Sequence, residues 1–575
     1  MKNFSIAVLA FFVLISFGLA LRAETNLTVS TFPSGNIFVG KGEVRFHVSG
    51  SSTCKLLTVT LLDEGGKVIQ ETLVSGISGA YSLKLEKPGY FSIKAMALFE
   101  NGAQRTVVTT AAVLKRVLPE HQRLQSKFGL WRVHGSAEHS LNAGARWTRR
   151  MQTVRFYKLD KNGGIVPQPM ISSLPKRGVY DERFSWSTVL AWGLPTWLEG
   201  RPLGAGEQSI YPPKDWEMLY KLVRQFAIDM KRPPDIFELY NEPEIHWIGS
   251  DEELVKFLSV VSSAFKSVYP SSKVVGPSFA SIDVDKLKRL VGLGLLNHVD
   301  GLALHAYVPG TEPERDFSVR IDSLRQFLHE IGENDLPVYL TEFGWASGDW
   351  LGREHAFDRA HDELTQAQYI SRAVSLLSVK EVTAALLFVD LLNAPDQERN
   401  QGFSLLHQDQ APKPSYMAFA QAVFWLTNAY TPRLIKITPS VYILHFRRSD
   451  GLESLVAWNL SDDVVFFPLL GWRHIEDMMG RDMNLSGNRL KLSRSPLFVA
   501  VEADALSSVR FRGVVKAKIG DSVAFPYSRY WLPEGVGYAE NGRVLLTVDT
   551  KEGSYLLFGK QNGQLEVVQL VVSAR

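Results

Sequence analysis

The sequence predicts a multidomain protein built on a central (β/α)8 TIM barrel, flanked by N-terminal and C-terminal β-sandwich domains. Three observations carry this prediction. The chain has 575 residues, and a single hydrophobic core stops growing at roughly 250–300 residues. Strand-like runs alternate with segments of helical period through its middle, the pattern of parallel strands joined by crossover helices. Short runs of alternating apolar and polar residues, separated by turn residues, fill both ends.

Hydrophobic residues make up 45% of the chain, aromatic residues 11% and charged residues 21%, a composition typical of globular proteins. The 63 basic and 60 acidic residues leave a formal net charge of +3. No basic block or stripe marks a polyanion-binding face, so no nucleic-acid partner is expected. Residues 1–23 carry Lys2, an apolar run from Phe4 to Leu21, and small residues at Gly18, Ala20 and Ala23. They read as a secretory signal peptide cleaved after Ala20 or Ala23, which predicts a secreted or periplasmic protein. The alternative is an uncleaved N-terminal anchor, since the run is near the lower length limit for spanning a bilayer; no other integral membrane domain is expected. Cys54 is the single cysteine, so stability is expected from core packing and not from disulfides.

Residues 24–115 contain VRFHV, LLTVTLL, YSLKL, FSIKAMAL and RTVVTTAAV, with turn signals such as EKPGY and ENGAQ between them. This spacing predicts a small Ig-like β-sandwich. Residues 120–430 carry the barrel. Strands are expected to begin near Phe128, Arg146, Ser187, Asp235, Lys273, Gly301, Pro337 and Thr383. Leu219, Leu222, Phe226 and Met230 recur at helical spacing, as do Leu254, Phe257, Val261 and Phe265, and Ile321, Leu324, Phe327 and Ile331. A doubly wound sheet is the alternative, but no glycine-rich phosphate loop follows the first strand. The first barrel helix reads as reduced to about two turns. Strand-like text returns over 431–505, predicting a C-terminal sandwich, and continues over 506–575 as an additional small module or an extension of that sandwich.

In a parallel barrel the chemistry sits where strands end, on the carboxyl face. Two such ends carry a glutamate: Glu242 in LYNEPEIHW after the fourth strand and Glu342 in VYLTEFGWAS after the seventh. Asn241-Glu242-Pro243 could also be a plain helix start, with Asn as cap and Pro in the first turn. Opposite strands, however, bring both glutamates to one cleft, where two carboxyl groups can flank a single glycosidic bond. Separations of about 5–5.5 Å give retention and about 6.5–9.5 Å give inversion, a distance that sequence does not supply. Trp197, Trp247 and Trp345 stand at predicted strand ends, where flat rings match the apolar faces of sugars. Tyr240 is expected to line the same cleft. No HExxH or other clustered ligand spacing appears, so neither a catalytic metal nor another cofactor is expected.

The residues GARWTR (Gly144 to Arg149), LYNEPE (Leu239 to Glu244), LHAY (Leu304 to Tyr307) and YLTEFGW (Tyr339 to Trp345) resemble clan A of the retaining glycoside hydrolases. FGLWRVH, GSAEHSLNAGARW and the tryptophan after the second glutamate are most similar to family 39. The resemblance covers about Phe128 to Leu426. It implies that Glu242 is the general acid/base and Glu342 the nucleophile of a double displacement on a β-linked, equatorial glycan. A charged Glu342 would then be expected to raise the proton affinity of Glu242. The resemblance further implies that Asn241 bonds the sugar's 2-hydroxyl, and that Arg149 and Tyr307 hold the nucleophile. His305 and His246 are candidate polar contacts to sugar, and His134 a weaker one. The pattern departs at the eighth strand, where ALLFVDLL places Phe388 or Asp390 near the position that most clan members give to tryptophan. The expected partner is a polysaccharide or oligosaccharide. Two other readings stay open: a non-hydrolytic glycan-binding barrel, and a transglycosylase using the same residues.

Overall fold

A computed structural model describes residues 26–574, apart from 31–34, 50–52, 132–136, 169–180, 201–209, 349–360, 388–400, 484–488 and 502–508 and breaks of one to three residues. The predicted signal peptide, His134, Phe388 and Asp390 lie outside the described residues. The chain divides into two compact units, Met1–Leu114 and Lys115–Arg575.

The first unit contains two sheets. Asn26–Ser30, Gly42–Ser49 and Gly79–Leu85 form one; Ile37–Val39, Gln104–Leu114, Gly89–Phe99, Cys54–Leu62 and Val68–Ile77 form the other in that order. Strict alternation puts Val44, Phe46 and Val48 inside while their neighbours face out. They meet Leu57, Val59, Ile93 and Ala95 of the second sheet in one core, the arrangement of a β-sandwich.

The second unit opens with eight parallel strands: β1 (Phe128–Leu130), β2 (Trp147–Gln152), β3 (Ser185–Leu190), β4 (Ile236–Glu238), β5 (Lys273–Val275), β6 (Leu302–His305), β7 (Val338–Phe343) and β8 (Ala384–Leu387). Strand β1 pairs with both β2 and β8. Isolated parallel bridges, Val275↔Gly301 and Phe279↔Leu304, close β5 onto β6. The result is the predicted (β/α)8 barrel, with each strand within two residues of its expected start. Trp147, Ile236, Val275, Ala303, Tyr339, Ala384 and Leu386 fill its interior. Gly129 is required where β1 meets β2, because a Cβ there would lie 2.3 Å from the Trp147 carbonyl oxygen.

The surrounding helices follow their apolar periodicity. Asp251–Lys266 starts at a Ser250/Glu253 capping box and buries Leu254, Phe257, Val261 and Phe265. The first barrel helix is short, Ala137–Asn142. Pro414–Leu426 is buried almost all round, and Trp425 packs against Phe498 of the following domain at 5.8 Å.

Beyond the barrel, Tyr430–Lys436, Val441–Arg447, Glu453–Asn459, Leu497–Val501 and Trp472–Glu476 make one antiparallel sheet. Val465–Pro468 and Arg489–Leu492 join Gly553–Gln561, Gln564–Ser573 and Val509–Lys518 in a second. Strands from both C-terminal stretches thus share one sheet, and Val441, Val465, Leu556 and Val567 share one core. A three-stranded sheet of Ser522–Ala524, Arg543–Leu545 and Tyr538–Glu540 completes this end. Among the described residues no helix is long and apolar enough to cross a membrane.

Candidate active site

Both glutamates stand at carboxyl ends of barrel strands, Glu242 four residues after the last residue of β4 and Glu342 within β7. Glu242 has a left-handed backbone, φ 47° and ψ 52°, ahead of the short helix Pro243–His246. A non-glycine residue in this region is held there by its surroundings, at a cost typically on the order of 1–3 kcal/mol. The surroundings are two hydrogen bonds: Asn241 N donates to the Leu190 carbonyl at 2.8 Å and Glu242 N to the Ser278 carbonyl at 2.9 Å. A short helix does start here with Pro243 in its first turn, but the cap residue is Glu242 and not Asn241, and no side-chain cap bond is made.

A single histidine stands between the carboxylates. His305 Nδ1 lies 3.0 Å from Glu242 Oε1 and His305 Nε2 lies 3.6 Å from Glu342 Oε1. The register between β6 and β7 shifts after Leu304, pairing His305 with Glu342. Such irregularities re-aim side chains at strand ends. One oxygen of each glutamate and a His305 ring nitrogen all lie within 4.8 Å of one another.

Glu342 is nearly buried and accepts from three donors. Trp131 Nε1 donates to its Oε1 at 3.0 Å, Arg149 Nη1 donates to the same oxygen, and the Tyr307 hydroxyl donates to its Oε2 at 2.8 Å. Arg149 is fully buried. It is locked to Glu238 by two hydrogen bonds of 2.8 Å and gives a further one to Asn241 Oδ1 at 2.9 Å. Glu238, also fully buried, takes additional bonds from the Ser187 and Ser278 hydroxyls.

Burial opposes charge on Arg149, but Glu238 and Glu342 outweigh it and hold the guanidinium protonated. Burial alone would likewise keep Glu238 neutral; Arg149 and the Ser187 hydroxyl reverse that and keep it ionised. Burial and Glu342 together push the Tyr307 hydroxyl well above its ordinary value, so it stays a donor. Burial also raises Glu242, but the His305 hydrogen bond and charge outweigh it, and the net shift is downward. This corrects the expectation that Glu342 would set a raised Glu242. His305 is displaced upward, with burial opposed by Glu342 and Glu242. The Glu242–His305 pair therefore holds one proton as a unit, and it rests mainly on the imidazole.

The remaining candidates are placed as follows. His246 is half-buried close to Glu242, on which its charge acts. Trp247 is half-buried, packs against Phe257 at 5.3 Å and donates from Nε1 to the Ser250 carbonyl. Trp197 is half-buried and donates to the Tyr157 carbonyl at 2.8 Å. Trp345 is buried among Phe317, Phe343 and Tyr369, with its N–H on the Thr311 carbonyl. Tyr240 is buried edge-on against Phe257, and its hydroxyl accepts from Gly193 N at 2.6 Å.

Four groups of this network were not singled out from sequence for a role in it: Trp131, Ser187, Glu238 and Ser278. Glu238 had a signal, a carboxylate inside the otherwise apolar run IFEL. Among the described residues, two groups of histidine and carboxylate side chains have ligand atoms within 4.8 Å of one another. In the first, Glu342 already accepts from Arg149, Trp131 and Tyr307. In the second, His474, Glu476 and Asp482, the Lys115 ammonium lies 2.9 Å from Glu476 and 2.7 Å from Asp482.

A parallel barrel with glutamates beyond β4 and on β7 is what the resemblance of the sequence motifs to clan A glycoside hydrolases implied. A solved family 39 glycoside hydrolase from the gut symbiont Bacteroides cellulosilyticus has the same fold, with a TM-score of 0.65 over 83% of this chain and 100% of that one at 18% identity. A β-xylosidase of Caldicellulosiruptor saccharolyticus is 25% identical over 239 residues, 37% of this chain and 47% of the relative. The chain thus spans about half the length of that curated relative. No family model matches the chain.

Proposed function

We propose that this protein is a retaining glycoside hydrolase acting on β-linked glycans, with β-xylosides the first substrates to test. The observation that carries the proposal is the convergence of Glu242 and Glu342, whose nearest oxygens lie within 4.8 Å. That spacing favours the class with carboxyls about 5–5.5 Å apart, which leaves no room for an inverting water. The named activity of the β-xylosidase relative supports the choice of sugar.

Glu342, oriented by hydrogen bonds from Arg149 and Tyr307, attacks the anomeric carbon. The bond to the leaving oxygen breaks as Glu242 delivers a proton to it. His305, in contact with Glu242 at 3.0 Å, holds the pair's proton until a bound sugar excludes water and raises the affinity of the carboxylate. Once Glu342 is glycosylated its charge is gone. Glu242 then takes a proton from water, and the resulting hydroxide displaces Glu342 from the sugar. Asn241 Oδ1 is engaged by Arg149, which leaves its Nδ2 to donate to the 2-hydroxyl, a contact that strengthens in the transition state. The leader-like residues 1–23 support action outside the cytoplasm.

The test is sugar release from a panel of polysaccharides and aryl β-glycosides by the intact protein, Glu242→Ala and Glu342→Ala, with NMR of the anomer formed first. Release with retained configuration, lost in both variants, is expected. An inverted first product would remove the double displacement. Sugar transferred to an acceptor instead of water would make the protein a transglycosylase, and binding without release would make it a glycan-binding barrel.

A further inference from the structure

We propose that Glu238 is a positioning residue for both glutamates of the site, joined to Glu342 through Arg149 and to Glu242 through Ser278. This deepens the glycosidase reading and rests on it.

Glu238 ends β4 four residues before Glu242 and is fully buried. Its two oxygens accept four donors: Arg149 Nε and the Ser187 hydroxyl on Oε1, Arg149 Nη2 and the Ser278 hydroxyl on Oε2. The bidentate grip fixes the guanidinium plane, since planar fork-to-fork pairing restricts it to one orientation. That plane aims Nη1 at Glu342 and Nη2 at Asn241. Ser278 carries the other arm. It too has a left-handed backbone, with φ 55°, and its carbonyl accepts the Glu242 N–H. One buried carboxylate therefore sets the direction of the nucleophile's cation and braces the turn that presents the acid/base.

The charge of Glu238 matters as well as its shape. It faces Arg149 from β2, Ser187 from β3, Ser278 beyond β5 and His305 from β6, with Glu342 on the far side of Arg149. Removing its charge leaves Arg149 opposed by Glu342 and Glu242, and takes a negative charge from beside the Glu242–His305 pair, whose proton affinity falls.

The experiment compares the full chain with Glu238→Gln and Ser278→Ala. Two readouts are used: kcat and KM against pH on aryl β-xylosides with good and poor leaving groups, and carbon-13 NMR titration of labelled glutamate carboxyls. For Glu238→Gln, kcat is expected to fall about 10²-fold with little change in KM. The alkaline limb of the pH profile, and the Glu242 carboxyl midpoint, should move to lower pH by roughly one unit. For Ser278→Ala the loss should be greater on poor leaving groups, which depend on the acid. An unmoved limb and midpoint in Glu238→Gln, or equal losses on both leaving-group classes in Ser278→Ala, would overturn the proposal. If Glu238→Gln does not fold, the leaving-group comparison in Ser278→Ala decides. If the intact chain releases no sugar, the glycosidase reading fails, and the NMR midpoint still decides whether Glu238 acts on Glu242.

Discussion

His305 Nδ1 touches Glu242 Oε1 at 3.0 Å while its Nε2 faces Glu342 Oε1 at 3.6 Å, so one imidazole bridges the two carboxylates. The proton that the acid/base needs is therefore a property of a pair and not of one side chain. A pair binds a proton at least as strongly as either member alone. In His305→Asn the alkaline limb of kcat/KM should fall to lower pH, by roughly one unit or more. A pH series on an aryl glycoside checks this, and an unmoved limb would show that Glu242 titrates independently.

Trp131 gives Glu342 a neutral donor at 3.0 Å, beside the charged one from Arg149. Hydrogen bonds to charged groups contribute about 1.5–3 kcal/mol. Trp131→Phe keeps most of the ring's bulk and removes the N–H. It should lower kcat at least about tenfold with little change in melting temperature.

Glu244 is half-buried next to the site. Its Oε1 accepts from Ala280 N, while Oε2 has no hydrogen-bond partner among the described residues. Burial pushes its carboxyl up from 4.5 to about 7. A raised folded value contributes stability that is complete below the unfolded value and lost as pH rises through the folded one. Melting temperature should thus decline from about pH 5 to pH 8, reflecting about 2–3 kcal/mol. Glu244→Gln should remove that slope, which differential scanning fluorimetry across pH will reveal.

Glu476 is fully buried beneath Lys115 and Arg116, and also accepts from Gln421 and Trp425 of the last barrel helix. Burial opposes its charge, but His474, Arg116 and Lys115 prevail and hold it at about 2, below its usual 4.5. A depressed value contributes stability that is present above 4.5 and lost as pH falls toward 2. Glu476→Gln should lower stability at pH 7 by roughly 1–3 kcal/mol, because it removes the charge that half-buried Lys115 and Arg116 pair with. The deficit in urea midpoint should shrink at pH 3.

The barrel was legible because each strand is a short apolar run bounded by turn residues and each helix has its own periodicity. Glu242 and Glu342 were legible because the chemistry of a strand end restricts what stands there; Arg149 and Tyr307 were legible only through the resemblance, and His305 was read as a sugar contact and not as a bridge between the glutamates. Ser278 was not legible, since nothing in GPSFA announces a left-handed serine whose carbonyl braces another loop. The aromatic packing of Tyr240 and Trp345 was hidden for a related reason. Aromatic residues near a cleft serve packing as readily as binding, and only the direction of the side chain separates the two. The downward shift of Glu242 was hidden because it depends on a histidine 63 residues away in sequence.

Across the seam between β5 and β6, Gly276 N donates to Gly301 O at 3.3 Å and Ala303 N to Gly276 O at 3.4 Å, but Ser278 N reaches Ala303 O and His305 N reaches Phe279 O at 2.6 Å. Farther round, Ala306 N donates to the Glu342 carbonyl at 2.8 Å. The shortest bonds of the seam thus stand at the height of the site. The turn that carries Glu242, the bridging histidine and the nucleophile hang from one run of backbone hydrogen bonds, so a shift of any one of them is passed to the others through the barrel wall.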